Sequence, residues 1–219
     1  MAEYGSLFAV SREFYIVQQS RWQNMVCEEN EEQRRPLFIT ERLLKTRTLL
    51  IAGPIDQETA ERALAQLLVL DAESQDPIRA IITSQGGHVE SGFAIHDMMR
   101  FVESDVICIG AGWVASIAVP ILLGAKKEHR LALPNTRFLL HQPTGGVGGQ
   151  VSDIRIAAQE IVKMRERLNR LIADETGQPL DKVAKDCDRD FWMTAQEALE
   201  YGLISRIIRT ARDLAPVPA

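Results

Sequence analysis

The chain has 219 residues, 46% of them hydrophobic and 25% charged, with a formal net charge of -5, a balance that suits one globular domain with a substantial core. Acidic and basic residues are interspersed without a basic run, which argues against a nucleic-acid surface, and no stretch approaches the roughly 18 uninterrupted apolar residues of a membrane span. Cys27, Cys108 and Cys187 are too widely spaced for a disulfide framework or a Cys-x-x-Cys metal site, and the N-terminus lacks the basic-then-apolar pattern of a secretory signal, so a cytoplasmic protein in a reducing compartment is expected.

Residues 1–36 read as an N-terminal extension. Phe8, Phe14, Tyr15 and Trp22 suit a short amphipathic helix and the polar run Glu28 to Arg35 a linker or charged helix end, with a mobile segment an equal alternative. From Leu37 the pattern becomes regular. Thr48 to Ala52 predicts a strand, Asp56 an N-cap, and Ala60, Ala63, Leu64, Leu67 and Leu68 a helix ending near Leu70. Ile78 to Ser84, β-branched and nearly continuous in apolar character, predicts a strand covered on both faces. Gln85-Gly86-Gly87-His88 follows, then a helix from about Glu90 to Val102 with Ala94, Met98, Phe101 and Val102 on one stripe.

A third strand, Val106 to Ile109, leads through Gly110-Ala111-Gly112-Trp113-Val114-Ala115 to Ser116, and the apolar segment Ile117 to Leu123 reads as a helix. Ser116 then sits where a helix N-terminus favours negative charge, a good place for a nucleophile. It is equally placed to be a plain N-cap, and Gly110 to Ala115 also fits the G-x-G-x-x-A fingerprint of a dinucleotide loop. The window alone leaves all three open. Strand and helix alternate throughout this part of the chain, which predicts an α/β fold with right-handed crossovers and a mostly parallel sheet.

Two further strands are expected at His129 to Leu133 and Arg137 to His141, around the turn Pro134-Asn135. Thr144 to Gln150 is glycine-rich, and Val151 to about Glu175 is the longest helix pattern, stopped by Gly177 and Pro179. A helix that long on a domain this small projects or packs on a neighbour, which predicts an oligomer. Leu180 to about Cys187 follows. Thr194-Ala195-Gln196-Glu197 is a capping box opening a helix that Gly202 closes, Ile204 to Ile208 is a strand, and 210–219 reads as a disordered tail.

A nucleophilic Ser116 requires a base and an acid to orient that base. Of the four histidines, His141 is the best base, since it ends an apolar strand where functional groups of α/β sheets gather. His96 and His129 read as structural; His88, in a glycine turn, fits either role. Asp186, Asp188 and Asp190 all offer the acid, and spacing cannot choose among them. The Gly86-Gly87 turn, with the Ile117 amide, is suited to bind an oxyanion or is simply a tight turn. No His/Cys cluster supports a metal.

Gly86-Gly87, Val114-Ala115-Ser116, Ala132-Leu133-Pro134-Asn135, His141-Gln142-Pro143, Thr176-Gly177-Gln178, Asp188-Arg189-Asp190 and Glu200-Tyr201-Gly202-Leu203 together resemble, in order and from about Arg42 to Ile208, the ClpP family, the proteolytic subunits of ATP-dependent Clp proteases. The resemblance implies a Clp/crotonase-like α/β fold, a peptidase domain over 37–209 with a strand-helix handle over 142–175, and a triad of Ser116 as nucleophile, His141 as general base and acid, and Asp190 as orienting carboxylate. Gly86 and Ile117 would supply the oxyanion-hole amides, and Asp188 and Arg189 would couple ring contact to the site.

The expected partners are copies of itself in two stacked heptameric rings, an AAA+ Clp unfoldase, unfolded polypeptides and, in a mixed ring, a second ClpP subunit. No P-loop motif occurs, so no cofactor is expected and ATP is used only by the unfoldase. Gln85, His88, Trp113 and Pro120 depart from the family pattern, and the N-terminal segment is longer. Two alternatives stand beside the peptidase: a noncatalytic or conditionally active ring subunit, and an acyl-CoA enzyme of the crotonase type.

Overall fold

The computed structural model describes residues 39–146 and 148–214, so the readings of the N-terminal extension, 1–36, lie outside the described residues. The main unit begins at Arg47; of the described residues before it, 39–44 are helical. The first strand, β1 (Thr48–Ile55), leads into α1 (Gln57–Glu73), β2 (Ile78–Gly87), α2 (Val89–Phe101) and β3 (Val106–Ala115). Asp56 caps α1 as expected, its carboxylate accepting the Thr59 amide at 2.8 Å, and that bond holds its carboxyl below the usual range.

After β3 come the short helix α3 (Ala118–Leu123), β4 (Arg130–Ala132), β5 (Arg137–Leu140) and the long helix α4 (Val151–Thr176). The chain closes with α5 (Leu180–Asp186), β6 (Phe191–Thr194), α6 (Ala195–Tyr201) and β7 (Arg206–Ile207). Strands β1-β2-β3-β4-β7 lie in that order, each pair parallel, which is the mostly parallel α/β sheet expected. Leu49, Ile51, Ile78, Ala80, Ile82 and Cys108 form the buried middle of the sheet, and α1 lays Ala60, Ala63, Leu67 and Leu70 against the core. Fully burying one such leucine contributes about 1.5–3 kcal/mol.

Two features differ from the local pattern. Strand β3 does not stop at Ile109. It pairs β4 through Cys108–Gly110, steps over an excursion at Ala111 and Gly112, and resumes at Trp113–Ala115 against β5. Opposite, Ile82 pairs Gly110 but Ser84 already pairs Val114, so the surplus residues lie on β3. Strand β6 was not expected at all. It runs antiparallel to β5, from Arg137↔Thr194 to Leu140↔Phe191, and brings the aspartate cluster alongside the end of β5.

The C-terminal half of α4 is buried at Leu168, Asn169, Ile172, Ala173 and Thr176, whereas Val151, Ile154, Ile156 and Val162 of its first half are exposed. Arg167 lies 3.7 Å above the Phe93 ring and 3.5 Å from Glu90, fastening α4 to α2. The described residues between His141 and α4 form no strand, so the strand half of the expected handle is absent from them.

Arg130, only 1% exposed, donates to the Ala125, Leu123 and Glu175 carbonyls at 2.8, 3.1 and 2.8 Å and pairs with the Glu175 carboxylate. One guanidinium thereby satisfies the ends of α3 and α4. The capping box at Thr194 and Glu197 forms as read from the sequence. The tail expected to lack structure carries a 3-10 turn over Ala211–Leu214, where Asp213 accepts the Arg209 and Thr210 amides; 215–219 lie outside the described residues.

Candidate active site

Ser116 stands directly after β3 with a φ of 56, one of two non-glycine residues in the left-handed region among the described residues. That conformation costs about 1–2 kcal/mol. It is held by the Ser116 amide, which donates to the Leu139 carbonyl of β5 at 2.9 Å. The N-cap position of α3 is taken by Ile117 with no side-chain cap bond, so the plain N-cap reading of Ser116 does not hold. The dinucleotide reading fails as well: Gly110 to Ala115 is part of β3, with Gly110 buried against Val114 and Phe138, and leaves no loop to cradle phosphates.

Pro120 does not leave the Ser116 carbonyl bare. The Val119 amide reaches it at 3.0 Å, one residue tighter than a regular helix bond, and the Ile121 amide then bonds Ile117 at 3.2 Å. The Pro120 carbonyl accepts from His96 Nδ1 at 2.7 Å, which fixes the protonated nitrogen of that ring. His96 is therefore structural, as expected, and burial holds its pKa below the ordinary imidazole value. His88 resolves the same way: it is the N-cap of α2, its Nδ1 accepting the Ser91 amide at 3.3 Å and lying 2.9 Å from the Ser91 hydroxyl. His129 Nδ1 is buried without a partner, and its ring lies outside the cavity that Ser116 lines.

The structure gives the three clustered aspartates three different partners. Asp186 accepts the Tyr201 hydroxyl at 2.9 Å and Lys182 at 2.8 Å; Asp188 lies 3.5 Å from Arg165 of α4; Asp190 lies 3.1 Å from His141 Nδ1. The choice that spacing left open thus falls on Asp190 as the carboxylate beside His141. Arg189, the other residue of the expected ring-coupling pair, is exposed.

Gly86 faces Ser116 so closely that a Cβ there would sit 2.6 Å from the serine Cβ and 2.8 Å from the Ala115 carbonyl, and its φ is +93. Both demands admit only glycine. The Gly86 amide, however, donates to Ser84 Oγ at 3.0 Å, and that hydroxyl in turn donates to the Gly53 carbonyl at 2.6 Å. The next amide but one, His88, is bound by the Ile55 carbonyl at 2.7 Å.

Ser116, Ile117, Leu140, His141, Pro143, Asn169 and Cys187 line one cavity whose enclosed part is about 20 Å³, room for about one water. No hydrogen bond joins Ser116 Oγ to His141 in this resting geometry, and such bonds commonly tighten only when substrate is bound. Cys187 in its wall is 1% exposed, and burial, with Asp186 nearby, pushes its thiol up to about 11. A more spacious cleft of about 650 Å³ lies at the ends of α2, α3 and α4 among Arg100, Asp105, Lys126, Arg130 and Glu175, and it contains no serine–histidine pair. No metal-binding group of three His, Cys, Asp or Glu occurs among the described residues.

Sequence reading missed Gln142, whose Nε2 donates to the Asp188 carbonyl at 2.8 Å, and Arg165, the partner of the Asp188 carboxylate. It missed Asn169 too, although an asparagine between Leu168 and Ile172 on an otherwise apolar stripe was a signal.

A family model described as Clp protease matches residues 30–211. The ATP-dependent Clp protease proteolytic subunit 3 of Rhizobium etli is 55% identical over 172 residues, covering 78% of this chain and 89% of the relative. Proteolytic subunit 2 of Gluconobacter oxydans is 54% identical over 175 residues, covering 79% and 78%. The solved structure of a ClpP1 mutant from Listeria monocytogenes aligns with a TM-score of 0.76 at 50% identity, over 81% of this chain and 99% of that one.

Proposed function

This chain belongs to the Clp protease family and is a proteolytic subunit of the Clp system; from that premise we propose that it is a serine endopeptidase using Ser116, His141 and Asp190. The reading rests on one observation above the rest: His141 is oriented by Asp190 at 3.1 Å on the wall of the cavity that Ser116 also lines. With Nδ1 donating to the carboxylate, Nε2 is left as the base.

In this mechanism Ser116 Oγ attacks the carbonyl carbon of the scissile peptide while His141 Nε2 takes its proton. The oxyanion is received by the Ile117 amide and, since the Gly86 amide is bound to Ser84, by that of Gly87. His141 gives its proton to the departing amine, and water, activated by the same imidazole, releases the acyl group from Ser116.

The wider reading is a ring subunit. The exposed apolar residues on the first half of α4 support packing against further copies, in two stacked heptameric rings, and the substrates are unfolded polypeptides delivered by an AAA+ unfoldase that alone consumes ATP. We place it in the cytoplasm, with no cofactor of its own; no helix among the described residues is long and apolar enough to cross a membrane. The noncatalytic alternative is not favoured, because each group that the chemistry requires is present, and the relatives are proteases rather than acyl-CoA enzymes. Intact-mass measurement after a fluorophosphonate probe tests the reading. One adduct on the native chain and none on Ser116→Ala supports it; an unlabelled native chain, alone and with partner subunits added, overturns it.

A further inference from the structure

The Asp190 side chain is 65% exposed, yet it must hold one orientation against His141, which is itself 27% exposed. An exposed carboxylate on a free loop would spend much of its time in water, since a surface ion pair is worth only about 0–1 kcal/mol. Something other than the pair itself has to keep the backbone at Asp190 in place.

On one side the β5–β6 ladder does so, its last pair being Leu140↔Phe191, immediately before His141 and immediately after Asp190. The ladder goes no further. On the other side the Gln142 side chain takes over: Nε2 donates to the Asp188 backbone carbonyl at 2.8 Å, bridging the residue after His141 to the segment before Asp190. The His141–Asp190 pair is thereby bracketed. Asp188 is also tied by its carboxylate to Arg165 of α4, 3.5 Å away, so the outer side of the bracket is anchored to the long helix.

We infer that Gln142 is a positioning residue that extends the β5–β6 pairing by one side-chain bond and so holds Asp190 on His141. The inference rests on the serine-peptidase reading and adds a residue to it. Gln142 does not line the cavity that Ser116 and His141 share; it acts through the Asp188 carbonyl. Without it the segment 188–190 swings on the Phe191 end, and the imidazolium formed during catalysis loses part of its carboxylate stabilisation.

The test is the rate of Ser116 labelling by a fluorophosphonate as a function of pH, on the full chain, for the native protein, Gln142→Met and Gln142→Asn. Methionine keeps the length without a donor, and asparagine keeps the amide but falls short of the carbonyl. The ion pairs of this segment, Asp190 with the imidazole and Asp188 with Arg165, involve residues that neither variant alters. The expected result is labelling about tenfold slower in both variants, with the acidic limb of the profile displaced to lower pH because the imidazolium is less stabilised, and with the melting temperature unchanged. Limbs coincident with the native profile would overturn the inference while leaving the serine-peptidase reading intact. An unlabelled native chain would overturn both.

Discussion

Gly86 and Ser116 stand face to face with no room for a methyl group between them: a Cβ on the glycine would come within 2.6 Å of the serine Cβ and 3.2 Å of its Oγ. The serine is already in the left-handed region and cannot retreat along a relaxed backbone. Its position is set jointly by β5, through the Leu139 carbonyl, and by the glycine turn.

Gly86→Ala is therefore expected to displace Ser116 and to strain a backbone at φ +93. A displacement of about 1 Å at a reacting atom costs on the order of a hundredfold. Peptide cleavage and fluorophosphonate labelling should both fall by at least that factor, and retained labelling at the native rate would refute the close-contact argument.

Arg130→Met removes the guanidinium that satisfies three carbonyls and the Glu175 carboxylate. Breaking a buried pair from one side costs roughly 3–5 kcal/mol. Thermal unfolding should show a midpoint well below that of the native chain, with Glu175→Gln milder because the carbonyl bonds survive. Equal midpoints for the two variants would mean that the carbonyl bonds contribute nothing.

His96 supplies a stability change with pH. Its folded pKa lies below the ordinary value of 6.5, so its contribution is complete above that pH. As pH falls through 6.5 toward the folded value, the unfolded chain binds the proton first and stability is lost. Melting temperatures between pH 7.5 and 5.5 (about one unit either side of the ordinary imidazole value) should decline more steeply for the native chain than for His96→Asn.

Cys187, raised to about 11 by burial, should be inert in the folded protein although it borders the site. Peptide mapping after iodoacetamide near pH 8, where an ordinary thiol of pKa about 8.5 is partly ionised, should find it alkylated only in denatured samples. Alkylation under native conditions would show that the cavity opens widely at rest.

Most of the sheet was legible in the sequence because parallel strands buried on both faces read as continuous apolar runs, as at Ile78 to Ser84, and helix ends carry chemical marks, as at Asp56 and Thr194. What stayed hidden was long-range. Phe191–Thr194 is four residues wedged between an acidic cluster and a capping box, and only its pairing with Arg137–Leu140 makes it a strand. The second half of β3 looked like a glycine loop because its partner β5 lies more than twenty residues onward. For the same reason Asp186, Asp188 and Asp190 were equivalent by spacing; their distinct partners, Tyr201, Arg165 and His141, come from three separate parts of the chain. The left-handed backbone at Ser116 has no mark in its residue type at all.

The step in β3 at Ala111 and Gly112 gives the fold a mechanical joint. Upstream of it, Cys108–Gly110 belongs to the rigid sheet with β4; downstream, Trp113–Ala115 belongs with β5 and carries Ser116. The surplus residues of the step thus set where the serine stands along β5 relative to His141, with Val114 held on its other side by Ser84 of β2. Tuning of reactivity in such a scaffold need not touch any residue that meets the substrate.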